Sequence, residues 1–123
     1  MSDICRVALD AMGGDNAPDA TIKGAVKAIN QVEAEVVLIA QEDVIKAKIK
    51  EFYGSRLSIH NATETIEMED IPTQAIKHKK DSSMVVGFNM LKADEGDVFI
   101  SAGNSGALLT GATLLVGRIK RID

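Results

Sequence analysis

Two glycine-rich turns hold most of the residues whose types and spacing could do chemistry. The first is Leu9-Asp10-Ala11-Met12-Gly13-Gly14-Asp15-Asn16-Ala17-Pro18, and the second is Ser101-Ala102-Gly103-Asn104-Ser105-Gly106. Glycines accept φ > 0 and let backbone N–H groups approach a ligand without a Cβ in the way. A helix that begins directly afterwards adds unpaired donors and the positive end of its dipole. In the second turn, Ser101, Asn104 and Ser105 supply hydroxyl and amide groups that can stabilise an oxyanion or a phosphate without proton transfer. In the first, Asp10 and Asp15 would repel an anion if both faced it. They can instead orient loop backbone, accept from a substrate hydroxyl or amide, or hold a cation. Capping by Asp15, Asn16, Asn104 or Ser105 accounts for the same spacing, and capping does not exclude binding. A third set is Lys79, Lys80, Ser82 and Ser83, in which two cations and two hydroxyls at a helix start match the needs of an anion. Short lysine clusters also occur as plain solvated surface.

Several chemistries find no support. Gly-x-Gly-x-x-Gly and the Lys-Ser/Thr ending of a Walker loop are both missing. His60 and His78 have no Cys or His at metal-ligand spacing, so no metal is expected, and no Ser-His-Asp or Cys-His constellation can be read. A net charge of −4 argues against general attraction to nucleic acid, and 3% aromatic residues without Trp argue against stacking on bases. The single cysteine, Cys5, cannot form a disulfide within the chain and reads as a small buried residue of the first strand. The start Met-Ser-Asp-Ile lacks the basic and apolar parts of a signal peptide, and no apolar run approaches the roughly 20 residues of a membrane span. A cytoplasmic location is therefore expected.

The elements around these turns follow α/β grammar. Ile4, Val7, Ala8 and Leu9 give a first strand, and Pro18 and Asp19 open a helix running to about Gln31 with Ile22, Ala25, Val26 and Ile29 inward. Glu35–Ala40, continuously apolar from Val36 onward, carries the mark of a parallel strand buried on both faces. Asp43–Tyr53 predicts a second amphipathic helix stopped by Gly54, and Leu57–His60 a third strand. Residues 62–70 are acidic and form an edge strand or a loop, and Ile71-Pro72 then opens a short helix. Met84, Val85, Phe88 and Leu91 form the buried face of another helix, capped by Asp81, Ser82 or Ser83. After a turn at 93–97 come the strand Val98–Ser101 and a last helix from about Asn104 through Gly117. That helix is apolar all round, as expected of a central helix or one covered by a partner. Met12, Met68, Met84 and Met90 are expected to fill gaps in an aliphatic core. The chain's 123 residues amount to one domain, and its end directly after the most apolar helix implies a missing partner layer.

Four separated stretches, Asp10 to Pro18, Ala62 to Asp70, Lys79 to Gly87 and Ser101 to Leu108, together resemble the PlsX-type phosphate acyltransferases. Departures are small: Leu9 stands where valine is common and Ser105 where threonine is common. Family members are much longer, so the resemblance implies the N-terminal portion of a single acyltransferase domain. It implies a three-layer α/β/α fold with a mainly parallel sheet, similar to phosphate acetyltransferases and isocitrate dehydrogenases. It further implies a bacterial cytoplasmic homodimer, peripheral on the inner face of the membrane, that needs no cofactor. That enzyme moves a long-chain acyl group from acyl carrier protein to inorganic phosphate, giving acyl phosphate for phospholipid synthesis.

Phosphate is then itself the nucleophile, which agrees with the lack of a serine or cysteine nucleophile. On this resemblance Asn104, Ser105 and Asp15 are the catalytic candidates. Lys80, Ser82 and Ser83 are expected to help hold phosphate, and Asp10, Gly13, Gly14, Ser101 and Gly103 to line the phosphate and thioester site. Lys77, Lys79, Lys120 and Arg121 are expected to dock the acidic carrier protein. The alternatives are a phosphate acetyltransferase-like coenzyme A enzyme, and a non-catalytic phosphate-binding, pantetheine-binding or dimerisation module.

Overall fold

A computed structural model of the chain describes residues 4–14, 17–31, 33–46 and 56–116. Four strands, β1 (Cys5–Asp10), β2 (Ala34–Ala40), β3 (Leu57–Asn61) and β4 (Val98–Ile100), form one sheet in the order β3-β2-β1-β4, and every pair is parallel. The apolar run foreseen at 35–40 is the reason. β2 has a strand on each side and side chains buried on both faces, with Leu38, Ile39 and Ala40 at 0% exposure. Full burial of a side chain the size of Leu38 or Ile39 contributes about 1.5–3 kcal/mol. Its register aligns Leu57, Val36, Val7 and Val98 in one row and Ile59, Leu38, Leu9 and Ile100 in the next.

Successive side chains point to opposite faces of the sheet, and each face has its own helices. On one, α1 (Asp19–Gln31) brings Ile22 and Ala25 onto Val36, Leu38 and Leu57. Ile45, at the end of α2 (Glu42–Ile45), joins the same cluster. The remainder of the helix expected over Asp43–Tyr53, with its stop at Gly54, lies outside the described residues. On the other face, α4 (Ser83–Lys92) brings Met90 and Val86 onto Ala8, Val37, Ile39 and Phe99. This is a three-layer α/β/α arrangement. α3 (Pro72–His78) and α5 (Ser105–Gly111) pack on each other and extend the second cluster through Ile76, Ala107 and Phe88. Pro72 sits in the first turn of α3, where its missing N–H leaves no helical bond unmade. Ser82 turns out to be the cap of α4, its Oγ accepting from Val85 N at 3.2 Å. At the other end of α4, Asp94 adopts φ 60°, a left-handed conformation that aspartate tolerates better than most residues.

Of the two forms expected for residues 62–70, the structure shows the loop, with one parallel bridge from Glu64 to Ser82. Other expectations need correction. Met68 is 52% exposed and fills no core gap, because that loop turns it outward, whereas Met84 and Met90 are buried. Cys5 is only half-buried. The last helix is α-helical to Gly111 and continues as a π-helical turn, Ala112–Val116; Gly117 lies outside the described residues. One side of it is packed through Ala107 and Gly111, while Leu109 and Leu114 are 71% and 68% exposed. No described helix is long and apolar enough to cross a membrane.

Two glycines on these helices have opposite roles. A Cβ on Gly87 would lie 2.1 Å from the Phe99 ring, which itself meets Phe88 edge-to-face at 5.0 Å. A Cβ on Gly24 would meet nothing within 4 Å. Gly87→Ala should therefore destabilise by about 1–3 kcal/mol through overpacking. Gly24→Ala, inside α1, should stabilise by about 0.5–1 kcal/mol. Opposite shifts of the urea midpoint check the pair, and a neutral Gly87→Ala would contradict the Gly87–Phe99 packing.

Candidate functional site

The sheet order places the site. The chain steps from β1 out to β2 and β3, then returns to put β4 on the other side of β1. Loops leaving the carboxyl ends of β1 and β4 therefore diverge, and the crevice between them is where open parallel sheets bind ligands. The two glycine turns are these loops, and they touch. A Cβ on Gly13 would stand 3.0 Å from Gly103 N and 2.8 Å from Asp10 Oδ2, and one on Gly103 would stand 3.6 Å from Gly13 Cα. Gly14 has φ +98° beside the Ala102 carbonyl, so a side chain there would be strained as well as crowded.

Asp10, the last residue of β1, lies beneath both turns at 2% exposure. Its Oδ1 accepts from Ser83 Oγ at 2.5 Å and from Met12 N at 3.1 Å, and its Oδ2 from Ser101 Oγ at 2.8 Å. Ser101 Oγ in turn accepts from Gly103 N at 3.1 Å. Burial pushes the Asp10 carboxyl above its ordinary 3.8, opposed by bonds from Ser83, Ser101 and the amides of Met12 and Gly13. Hydroxyls and amides, with no cation among these causes, compensate the buried charge.

Several residues expected to face a ligand are engaged inside the protein. Ser82 and Ser83 are buried, one capping α4 and the other bound to Asp10, and Ser83 N donates to Glu64 O at 3.0 Å. Their hydroxyls therefore do not present themselves to phosphate, contrary to expectation, because packing of α4 against β1 draws them inward. Asn104 is 7% exposed. Its Oδ1 caps α5 through Ala107 N at 3.1 Å, while Nδ2 lies within 2.9–3.3 Å of the carbonyls of Glu67, Met68 and Asp70. Its amide holds the acidic loop rather than a reacting oxygen. Lys79 donates to Asp70 Oδ2 at 2.7 Å and to Thr65 O at 2.8 Å, which holds the Asp70 carboxyl below its ordinary value and leaves Lys79 a poor docking cation.

Lys77 and Lys80 are exposed and line, with Ile76, Val85 and Leu115, a groove of about 480 Å³ that includes no glycine-turn residue. Lys80 thus stands apart from the turns expected to share its phosphate. Ser105 and Ala102, in the second turn, are exposed. Asp15, Lys120 and Arg121 lie outside the described residues. Thr21 was not foreseen. Its hydroxyl lies 2.7 Å from Ala11 O and 2.8 Å from Pro18 O, tying the first turn to α1. The signal available was a threonine three residues after Pro18, a spacing at which a side chain bonds back to the backbone. Among the described residues, no cluster of three or more His, Cys, Asp or Glu is placed to hold a metal ion.

Residues 5–123 match the family described as Fatty acid synthesis protein. The chain belongs to that family. A phosphate acyltransferase of Acetivibrio thermocellus is 51% identical over 120 residues, covering 95% of this chain and 35% of the relative. Phosphate acyltransferases of Clostridioides difficile and Thermoanaerobacter pseudethanolicus are 46% and 48% identical, each over 96% of this chain and 35% of the relative. The chain thus spans about a third of the length of these relatives.

Burial of Asp10 makes the stability of the fold depend on pH. A raised value means that the folded state holds the proton more tightly than the unfolded one. This group's contribution to stability is then greatest below pH 3.8 and is lost as pH rises through the folded value. Asp10→Asn should therefore gain stability relative to the unaltered protein as pH is raised from 4 toward 7. Parallel urea titrations check this, and a stability difference independent of pH would show that Asp10 titrates as an ordinary carboxylate.

Proposed function

We propose that this chain is the N-terminal portion of a phosphate acyltransferase domain that transfers a long-chain acyl group from acyl carrier protein to inorganic phosphate for phospholipid synthesis. The observation that carries it is the meeting of two glycine turns over Asp10 at the carboxyl ends of β1 and β4. The names of the relatives point to the same reaction class.

In this reading a phosphate oxygen attacks the thioester carbonyl carbon. The new C–O bond forms as the carbonyl oxygen becomes an oxyanion, and collapse of that intermediate breaks the C–S bond. The proton carried by hydrogen phosphate ends on the carrier's thiol, so no covalent enzyme intermediate is needed. Rate then comes from holding two anionic reactants together and from donors aimed at the oxyanion. Ser105, exposed at the start of α5, and the backbone of the two turns supply those donors. Asn104 serves by fixing the turn that presents them. Asp15, which follows Gly14 in the chain, keeps its place as a catalytic candidate.

Lys77 and Lys80 are exposed and belong to the docking surface for the acidic carrier, for which Lys120 and Arg121 keep their place as candidates. The same reading includes a homodimer and peripheral attachment to the membrane, both resting on the family resemblance of the four motifs.

Acyl phosphate trapped with hydroxylamine is the direct test, using the full-length protein with acyl carrier protein and phosphate. Phosphate-dependent product is expected, with a KM for the carrier that rises with salt as exposed charges are screened within about 10 Å at 0.1 M. Folded full-length protein that forms no product would overturn the reading, and a KM indifferent to salt would remove the lysine docking surface.

A further inference from the structure

We infer that Asp10 is a positioning residue, acting on the reaction through Ser101 and Ser83 and never touching substrate. The inference rests on the reading of the crevice as an acyl-transfer site and assigns a role that the reaction itself does not require.

The geometry carries it. At 2% exposure beneath Gly13, the carboxylate is shielded from any ligand at the mouth. It accepts from three separate segments: the first turn through Met12 N, the start of α4 through Ser83 Oγ, and the second turn through Ser101 Oγ. An apolar side chain could fill the same space without the penalty of a buried charge. What it could not do is fix the rotamers of two hydroxyls at once. With its proton directed at Asp10, Ser101 Oγ offers a lone pair to Gly103 N. That bond fixes the peptide plane between Ala102 and Gly103. Since N–H and C=O of a trans peptide point opposite ways, it also turns the Ala102 carbonyl toward Gly14. Asn104 and Ser105 follow directly, so the path into α5 is set from Asp10 through one hydroxyl. Loss of the carboxylate should leave phosphate able to bind but leave the donors around the oxyanion misplaced.

The test uses full-length protein and four variants: Asp10→Asn, Ser101→Ala, Ser101→Thr and the double variant Asp10→Asn/Ser101→Ala. Asp10→Asn and Ser101→Ala should each lower kcat by roughly tenfold or more, while KM for phosphate moves less than about threefold. Ser101→Thr, which keeps the hydroxyl, should restore most of the rate. The double variant should fall no further than either single variant, since both remove one chain of bonds. Amide exchange at Gly103 should be faster in Asp10→Asn and Ser101→Ala than in the unaltered protein.

A rise in KM for phosphate with kcat unchanged would place Asp10 against the substrate and overturn the inference, as would additive losses. If the unaltered enzyme forms no acyl phosphate, the proposed function fails separately. The exchange measurement still decides here, because unchanged protection of Gly103 in Asp10→Asn would overturn the inference. Should Asp10→Asn not fold, Ser101→Ala against Ser101→Thr carries the same comparison.

Discussion

A carboxylate removed from water costs several kcal/mol unless donors replace its hydration shell, and Asp10 meets that demand with groups from three parts of the chain. Much of the surrounding sequence becomes intelligible from this one requirement. Ser83 and Ser101 have to be hydroxyl residues, because each donates to the carboxylate. Gly13 has to lack a side chain, because its Cβ would stand only 2.8 Å from Asp10 Oδ2. The start of α4 has to lie against the end of β1, although 73 residues separate Ser83 from Asp10. Met84, next to Ser83, then covers Gly103 with its terminal methyl, which joins the polar cluster to the apolar layer beneath α5.

The sheet makes such a meeting possible. Parallel pairing on both sides of β1 needs crossover connections: the one from β1 to β2 delivers α1 to one face, and the one from β3 to β4 delivers α4 to the other. Reversal of direction after β3 brings β4 beside β1, so two loops distant in sequence leave adjacent strand ends. Close packing on the α4 face depends on the absence of side chains as much as on their presence. Phe99 lies where Gly87 has no Cβ, and Phe88 lies where Gly111 has none. The first contact holds α4 near enough to the sheet for Ser83 to reach Asp10, and the second holds α5 against α4.

The sequence makes the framework legible where one interaction dominates over a few neighbouring residues. The apolar run Val36–Ala40, short and rich in β-branched residues, reads as a strand covered on both faces, and Pro72 and Ser82 mark helix starts by mechanisms confined to one turn. The glycine turns could be read as partners because each stands between a strand and a helix. Side-chain destinations were less accessible. Ser82 and Ser83 look equally suited to capping, anion binding or burial until the path of α4 across the sheet is known. Lys79 and Lys80 are neighbours of one type, yet Lys79 turns toward Asp70 while Lys80 stays in solvent, a difference set by the loop at 63–70 and invisible in a window of either residue. Asn104 reads correctly as a cap, but its other half bonds carbonyls 34–37 residues away. Met68 looks like core by type and is turned out by the same loop.

That shared use of Asn104 has a mechanical consequence. One side chain both closes the first turn of α5 and grips the acidic loop, with its carbonyl end on the helix and its amide end on the loop. The loop cannot swing away while the amide keeps its bonds, and the amide cannot follow the loop without uncapping the helix. Opening of the segment from Glu67 to Asp70 and fraying of the α5 start are therefore a single event. A load applied to either end of that linkage is felt at the other.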